Sequence, residues 1–217
     1  MTAAERRQKI LDEIASAAKL AGRKAADVDL IAVSKTRPFD EIDALIAAGQ
    51  RIFGESRVQE ALERWPTLLA RHHGIQLHCI GRLQSKKAAE AVKLFDAIHS
   101  VDRRSLLDAL VKEAEKADRR PSVYIQVNIG DEEQKGGCPI GEVGSLVEAV
   151  RSSALPLAGL MAIPPLGLEP APFFALLAKL AREHSVEGLS MGMSGDFKSA
   201  IMLGATAVRI GTALFED

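Results

Sequence analysis

A lysine, an arginine and two short glycine-bearing segments stand out in this chain for the chemistry their types and positions allow. Lys35 ends the apolar run Asp29-Leu30-Ile31-Ala32-Val33-Ser34-Lys35. Burying an unpaired ammonium is costly, so a lysine at the end of a buried strand needs a resolution. One resolution lowers its pKa until the amine is neutral and nucleophilic, as Schiff-base lysines require. The other lays the aliphatic stem on apolar surface and lets the charge reach water. Arg209 interrupts a second apolar run, Ala205 to Ile210, one position before its end. A guanidinium cannot shed its proton to tolerate burial, so it calls for an acceptor. A structural carboxylate would serve, and so would the pyridine nitrogen of bound pyridoxal 5'-phosphate (PLP).

The segments Gly192-Met193-Ser194-Gly195-Asp196 and Gly211-Thr212 fit an anion. Glycines let backbone N–H groups approach it closely, and Ser194 and Thr212 add hydroxyl donors. The alternative is a local role: Ser194 or Asp196 as a helix cap and the glycines as turn residues. A reactive amine, a cation for a ring nitrogen and a phosphate cradle together describe a PLP pocket.

The elements that must position these groups follow from the spacing of apolar residues. Ile10, Leu11, Ile14, Ala17, Ala18 and Ala21 predict a helix from Ala3 to Ala21, stopped at Gly22. The first strand then runs from Asp29 to Lys35. Further strands are expected at Arg51–Gly54, Gln76–Gly81, Ala97–Val101, Ser122–Asn128, Pro156–Ile163, Val186–Met191 and Ala205–Ile210. Helical spacing fills the intervals: Phe39 to Ile46, Val58 to Leu69, Ser85 to Leu94, Leu107 to Ala114, Ile140 to Val150, Phe173 to Leu180 and Asp196 to Leu203. Pro66 is expected to kink or split the second of these. Eight strands alternating with helices make a parallel sheet, and eight units close into a (β/α)8 TIM-type barrel, here with an extra N-terminal helix. An open doubly wound sheet is the competitor. In such a barrel the active site lies at the C-terminal ends of the strands, and phosphate commonly binds after strands seven and eight. Lys35, Arg209, Ser194, Gly211 and Thr212 all fall there.

Composition narrows the class. The 217 residues fit a single domain over 1–217, with 47% hydrophobic and 26% charged residues, as in ordinary globular proteins. A net charge of −1 gives no reason to expect nucleic acid or an anionic membrane as partner. Cys79 and Cys138 form no CxxC pair and suit reduced thiols in the cytoplasm. The N-terminus has no apolar signal region, and no window is long enough to span a membrane. His72, His73 and His184 are expected to be solvated, as are Lys86, Lys87 and Lys135. His78 and His99 lack carboxylates at ligand spacing, so no metal is expected.

The chain resembles the pyridoxal phosphate homeostasis proteins, built on the barrel of the alanine racemase N-terminal domain. The matching segments are Ala32-Val33-Ser34-Lys35-Thr36, Phe53-Gly54-Glu55 with Val58-Gln59-Glu60, Ile80-Gly81 with Leu83-Gln84, and His99-Ser100-Val101-Asp102. They continue with Gln126-Val127-Asn128, Gly159 to Pro164, Leu189 to Asp196 and Val208-Arg209-Ile210-Gly211-Thr212. The resemblance implies PLP held as a Schiff base on Lys35, Arg209 at the pyridine nitrogen, and Ser194, Gly211 and Thr212 on the phosphate. It also implies that Asn128 and His78 line the pocket. Ser56 and Lys86 depart from the family pattern, which usually has asparagine at both places.

The resemblance further implies a role in intracellular PLP (vitamin B6) homeostasis, or in delivery of PLP to apo PLP-dependent enzymes, by a cytoplasmic monomer. Racemisation needs acid/base groups on both faces of the substrate. In the racemases of this barrel a tyrosine from an additional β domain supplies one of them. Here the sequence ends seven residues after the eighth strand, so no second β domain is expected. The only tyrosine, Tyr124, lies inside the fifth strand. The expectation is therefore a carrier with little or no turnover of amino acids. A low-activity PLP-dependent amino-acid racemase and a cofactor-free Schiff-base aldolase are the alternatives.

Overall fold

In the computed structural model, which describes residues 1–216, eight parallel strands close into a barrel in the order β1-β2-β3-β4-β5-β6-β7-β8. The strands are β1 (Asp29–Val33), β2 (Ile52–Glu55), β3 (Gln76–Cys79), β4 (Ala97–Val101), β5 (Ser122–Gln126), β6 (Leu157–Met161), β7 (Leu189–Ser190) and β8 (Ala207–Ile210). Closure is made by β1 against β8, where Ile31 is level with Arg209 and Ala32 with Ile210. The helices on the outside are α1 (Ala3–Leu20), α2 (Phe39–Ala47), α3 (Val58–Arg71), α4 (Ala88–Leu94), α5 (Arg104–Ala117), α6 (Val143–Arg151), α7 (Ala171–Glu183), α8 (Phe197–Met202) and α9 (Thr212–Phe215). The closed barrel rules out the open doubly wound sheet. Among the described residues no helix is long and apolar enough to cross a membrane.

Local chemistry explains the elements. Thr2 and Glu5 form a reciprocal capping box at the start of α1, at 3.2 and 2.7 Å, which satisfies two otherwise orphan N–H groups. Ile10, Ile14, Ala17 and Ala18 are its buried face, and Lys198 of α8 pairs with Glu13 at 2.8 Å. α3 is not split at Pro66. A proline inside a helix costs about 3 kcal/mol. Burying Val58, Ala61, Trp65 and Leu68 offsets that loss, at about 1.5–3 kcal/mol for each large side chain.

Several strands are shorter than the apolar runs suggest. β7 is confined to Leu189–Ser190 because Val186 completes the preceding turn. Its N–H bonds the Ala181 carbonyl at 2.8 Å, and Ser185 before it is left-handed. Gly188 then passes so close to β6 that a Cβ there would lie 1.9 Å from the Ala158 oxygen. β8 starts at Ala207, since the Ala205 N–H caps α8 through the Ala200 carbonyl at 2.9 Å. β5 ends at Gln126; Val127 still donates to the Met161 carbonyl of β6 at 2.8 Å and forms an isolated bridge to Cys138. β1 ends at Val33, two residues before Lys35.

Candidate functional site

At the C-terminal mouth of the barrel a cavity of about 330 Å³ opens between the loops after β1, β7 and β8. Its wall includes Lys35 and Arg37, Ser194 and Gly195, and Arg209, with Gly211 and Thr212 beside it. Of the residues the sequence singles out, the fold thus brings together Lys35, Ser194, Arg209, Gly211 and Thr212. A larger cavity of about 700 Å³ lies on the outer wall between α1 and α8, near Leu20, Lys198 and Met202. The mouth gathers the loops after three strands at the C-terminal end of the barrel, where barrels of this type place their active sites, so the mouth is the candidate site.

Lys35 is exposed, so of the two settings open to a strand-end lysine the structure shows the one in which the side chain reaches water. The reason is local. β1 stops at Val33, and Ser34 takes the inward position, fully buried. The chain then turns sharply: the Arg37 N–H bonds the Ser34 carbonyl at 3.1 Å, and Thr36 sits at φ 62°. Left-handed backbone is a genuine outlier for a β-branched residue and marks strain at this corner. Lys35, next to Ser34 in the turn, is carried to the rim.

Ser34 is held from below. Its hydroxyl donates to Glu55 Oε1 at 2.8 Å, and Trp65 Nε1 donates to the same oxygen at 2.9 Å. Glu55 is fully buried at the end of β2, and its Oε2 has no partner among the described residues. The acidic end of an apolar strand was the signal that could have marked Glu55 as a site-building residue.

Arg209 is 4% exposed. Its Nη1 donates to Ser190 Oγ at 2.6 Å and its Nη2 to the Ala162 carbonyl at 3.0 Å. Both partners are neutral, and the Asp196 carboxylate acts on it through charge without a direct bond. Burial pushes its pKa down to about 10, which leaves it charged at neutral pH. Ser190 lies in the matching segment Leu189 to Asp196, yet the sequence assigned it no role of its own.

The loop after β7 is arranged to expose backbone donors. Met193 N–H bonds Asp196 Oδ1 at 2.6 Å, while the N–H groups of Asp196 and Phe197 return to the Met193 carbonyl at 3.0 and 2.9 Å. Asp196 stands at the N-cap position of α8, but its side chain closes the turn onto Met193 and makes no bond to the helix N–H groups. Between these bonds the N–H groups of Ser194 and Gly195 have no protein acceptor among the described residues. The turn requires Gly192, at φ 96°, where a Cβ would stand 2.7 Å from that of Ala200. Arg37, which the sequence did not single out, adds a second guanidinium. It pairs with Glu216 and lies 5.2 Å from the Phe215 ring.

His78 and Asn128 are not among the residues lining this cavity. His78 is buried inside the barrel, with Nδ1 3.1 Å from His99 Nε2. Burial lowers its pKa to about 4, opposed by the Asp96 charge. Asn128 holds its own loop, donating to the Glu132 carbonyl at 3.0 Å and accepting from the Glu132 N–H at 3.2 Å. Some side chains expected to be solvated have partners: His72 meets Asp43 at 2.8 Å, Lys87 meets Gln59 at 2.8 Å, and Lys135 meets Glu132 at 2.6 Å.

Comparison with known proteins completes the description. Residues 10–217 match the model of the alanine racemase N-terminal domain. A pyridoxal phosphate homeostasis protein of Aquifex aeolicus is 39% identical, over 100% of this chain and 99% of that protein. One of Pseudomonas aeruginosa is 40% identical, over 99% and 95%. The structure of PipY from Synechococcus elongatus with PLP bound superposes with a TM-score of 0.80 at 38% identity, covering 93% of this chain and 99% of that one. A closed eight-stranded barrel and matches of this length and identity place the chain in the alanine racemase N-terminal domain family, among the pyridoxal phosphate homeostasis proteins.

Proposed function

We propose that this protein binds PLP at the barrel mouth, holds it as a Schiff base on Lys35, and takes part in intracellular PLP homeostasis or delivery to apo PLP-dependent enzymes. The observation that carries the reading is Arg209, a buried cation whose two hydrogen-bond partners are neutral, facing a cavity that also holds an amine. Such a site favours an anionic ligand with an acceptor atom. The PLP-bound relative supports that identity for the ligand.

Each residue has work it can do. The Lys35 amine would be the group that holds the aldehyde of PLP, and its exposure at the rim would give water access to the linkage. Such access would make the linkage reversible, as a carrier needs. The Ser194 and Gly195 N–H groups, with the Ser194 and Thr212 hydroxyls, suit phosphate oxygens; Gly211 gives the backbone close access. Arg209 donates and does not readily give up a proton, so a ring nitrogen facing it stays unprotonated. When bound, PLP supplies an electron sink, which an unprotonated ring nitrogen weakens. No histidine, tyrosine, cysteine or carboxylate joins Lys35 among the described residues lining the cavity. That favours a carrier over a racemase, which needs a second proton-transfer group.

The test is hydride trapping of protein mixed with PLP, followed by mass spectrometry. A reduced adduct on Lys35, with a visible absorption band lost on reduction, is expected. An adduct confined to another lysine, or none at saturating PLP, overturns the reading.

A further inference from the structure

The polar chain that begins at Arg209 continues across the barrel interior. Ser190 Oγ, which accepts from Arg209, lies 2.9 Å from His99 Nδ1, and His99 Nε2 lies 3.1 Å from His78 Nδ1. The four side chains come from β8, β7, β4 and β3, and all are buried. Tyr124 of β5 stacks on His99, with centroids 4.1 Å apart and planes 20° apart.

One donor sets the direction of every proton in this chain. A guanidinium has no acceptor, so Ser190 Oγ must accept from it. The serine hydrogen then needs its own acceptor, and His99 Nδ1 is the one within reach. Were Nδ1 to carry a proton, the serine hydrogen would be stranded in a dry interior. With Nδ1 accepting, the neutral His99 ring keeps its proton on Nε2 and donates to His78 Nδ1. His78 in turn carries its proton on Nε2.

We propose that His99, acting through Ser190, is a positioning residue for Arg209. Its Nδ1 lone pair holds the serine hydroxyl turned so that the oxygen faces the guanidinium. The N–H groups of Arg209 not used by Ser190 and Ala162 are thereby kept for the cavity. The functional consequence rests on the reading of that cavity as a PLP site; the tautomer assignment does not.

The surroundings agree with a neutral relay. The charged and titratable groups acting on the two rings are Arg209, Asp96 and the neighbouring Tyr124. Burial, then His78, then Arg209 hold His99 well below its ordinary pKa, and burial holds Tyr124 above its own. A protonated His99 would donate from both nitrogens and strand the serine hydrogen, so acid undoes the arrangement.

Nitrogen-15 NMR of the ligand-free protein tests the tautomers directly. His99 is expected to show an unprotonated Nδ1 and a protonated Nε2 at neutral pH. A proton on Nδ1 of His99 overturns the proposal, whatever the protein does with PLP. Two variants test the consequence. His99→Phe keeps the ring stacked on Tyr124 but removes the acceptor; it should weaken PLP binding about tenfold and shift the visible band. His99→Asn, which offers an amide oxygen near the place of Nδ1, should restore affinity to within about threefold of the parent. A folded His99→Phe protein with parental affinity and spectrum overturns the positioning role. Failure of the parent to bind PLP overturns the cofactor reading instead, while the NMR result stands by itself.

Discussion

Ser34 Oγ donates to Glu55 Oε1 at 2.8 Å, and the next residue along the chain is Lys35. The buried contact fixes the end of β1 from the inside, while the amine beside it stays exposed at the rim. Removing the hydroxyl leaves Glu55 Oε1 with Trp65 as its one donor. Ser34→Ala should cost about 1–3 kcal/mol in a urea melt, and it should also slow adduct formation at Lys35.

Lys35→Ala separates attachment from binding. Because Lys35 is exposed, its loss should change stability by no more than about 0.5 kcal/mol. The visible band should vanish, yet calorimetry should still detect PLP, bound more weakly through the phosphate loops and Arg209. Complete loss of binding would assign those loops no part in the site.

Gly192→Ala tests the loop that exposes the Ser194 and Gly195 N–H groups. With φ at 96° and Ala200 and Phe197 in the way, the substitution should destabilise the fold by about 1–3 kcal/mol. Affinity for inorganic phosphate, measured by competition with PLP, should fall with it.

The buried histidines make stability depend on pH. His78 has a folded-state pKa of about 4 against an ordinary 6.5, so between those values the unfolded chain binds more protons. Stability is therefore complete above about pH 6.5 and is lost as pH falls toward about 4, by on the order of a few kcal/mol. His99 adds to the same loss, because burial also holds it neutral. Denaturant melts across this range should show the slope, and His78→Gln should flatten it.

Incubation with PLP and L-alanine should produce D-alanine no faster than PLP alone. A rate above that control, abolished by Lys35→Ala, would revive the racemase alternative.

The alternation of short apolar runs with helical spacing identified a parallel sheet, because buried parallel strands leave a near-continuous apolar signature, and the count of eight favoured a barrel over an open sheet. The same pattern placed Lys35, Ser194, Arg209, Gly211 and Thr212 at strand ends, and strand ends of a closed barrel share one mouth. Strand limits were less legible. Val186 and Ala205 are apolar enough for strands, yet their N–H groups close helix ends. Likewise Pro66 reads as a break until the buried face of α3 is counted.

What sequence alone determined was therefore that Lys35, Ser194, Arg209, Gly211 and Thr212 reach the mouth, since chain order and the barrel's parallel winding leave little choice; it misplaced His78 and Asn128 and passed over Arg37. Tertiary structure alone decided which way they face and what they touch. Because β1 ends at Val33, Ser34 turns inward onto Glu55 and the turn that follows carries Lys35 to the rim. The partners of Arg209 come from residues 19 and 47 positions away, and His99 meets Ser190 across 91. Contacts at such separation depend on register and closure, which no local pattern of side chains encodes.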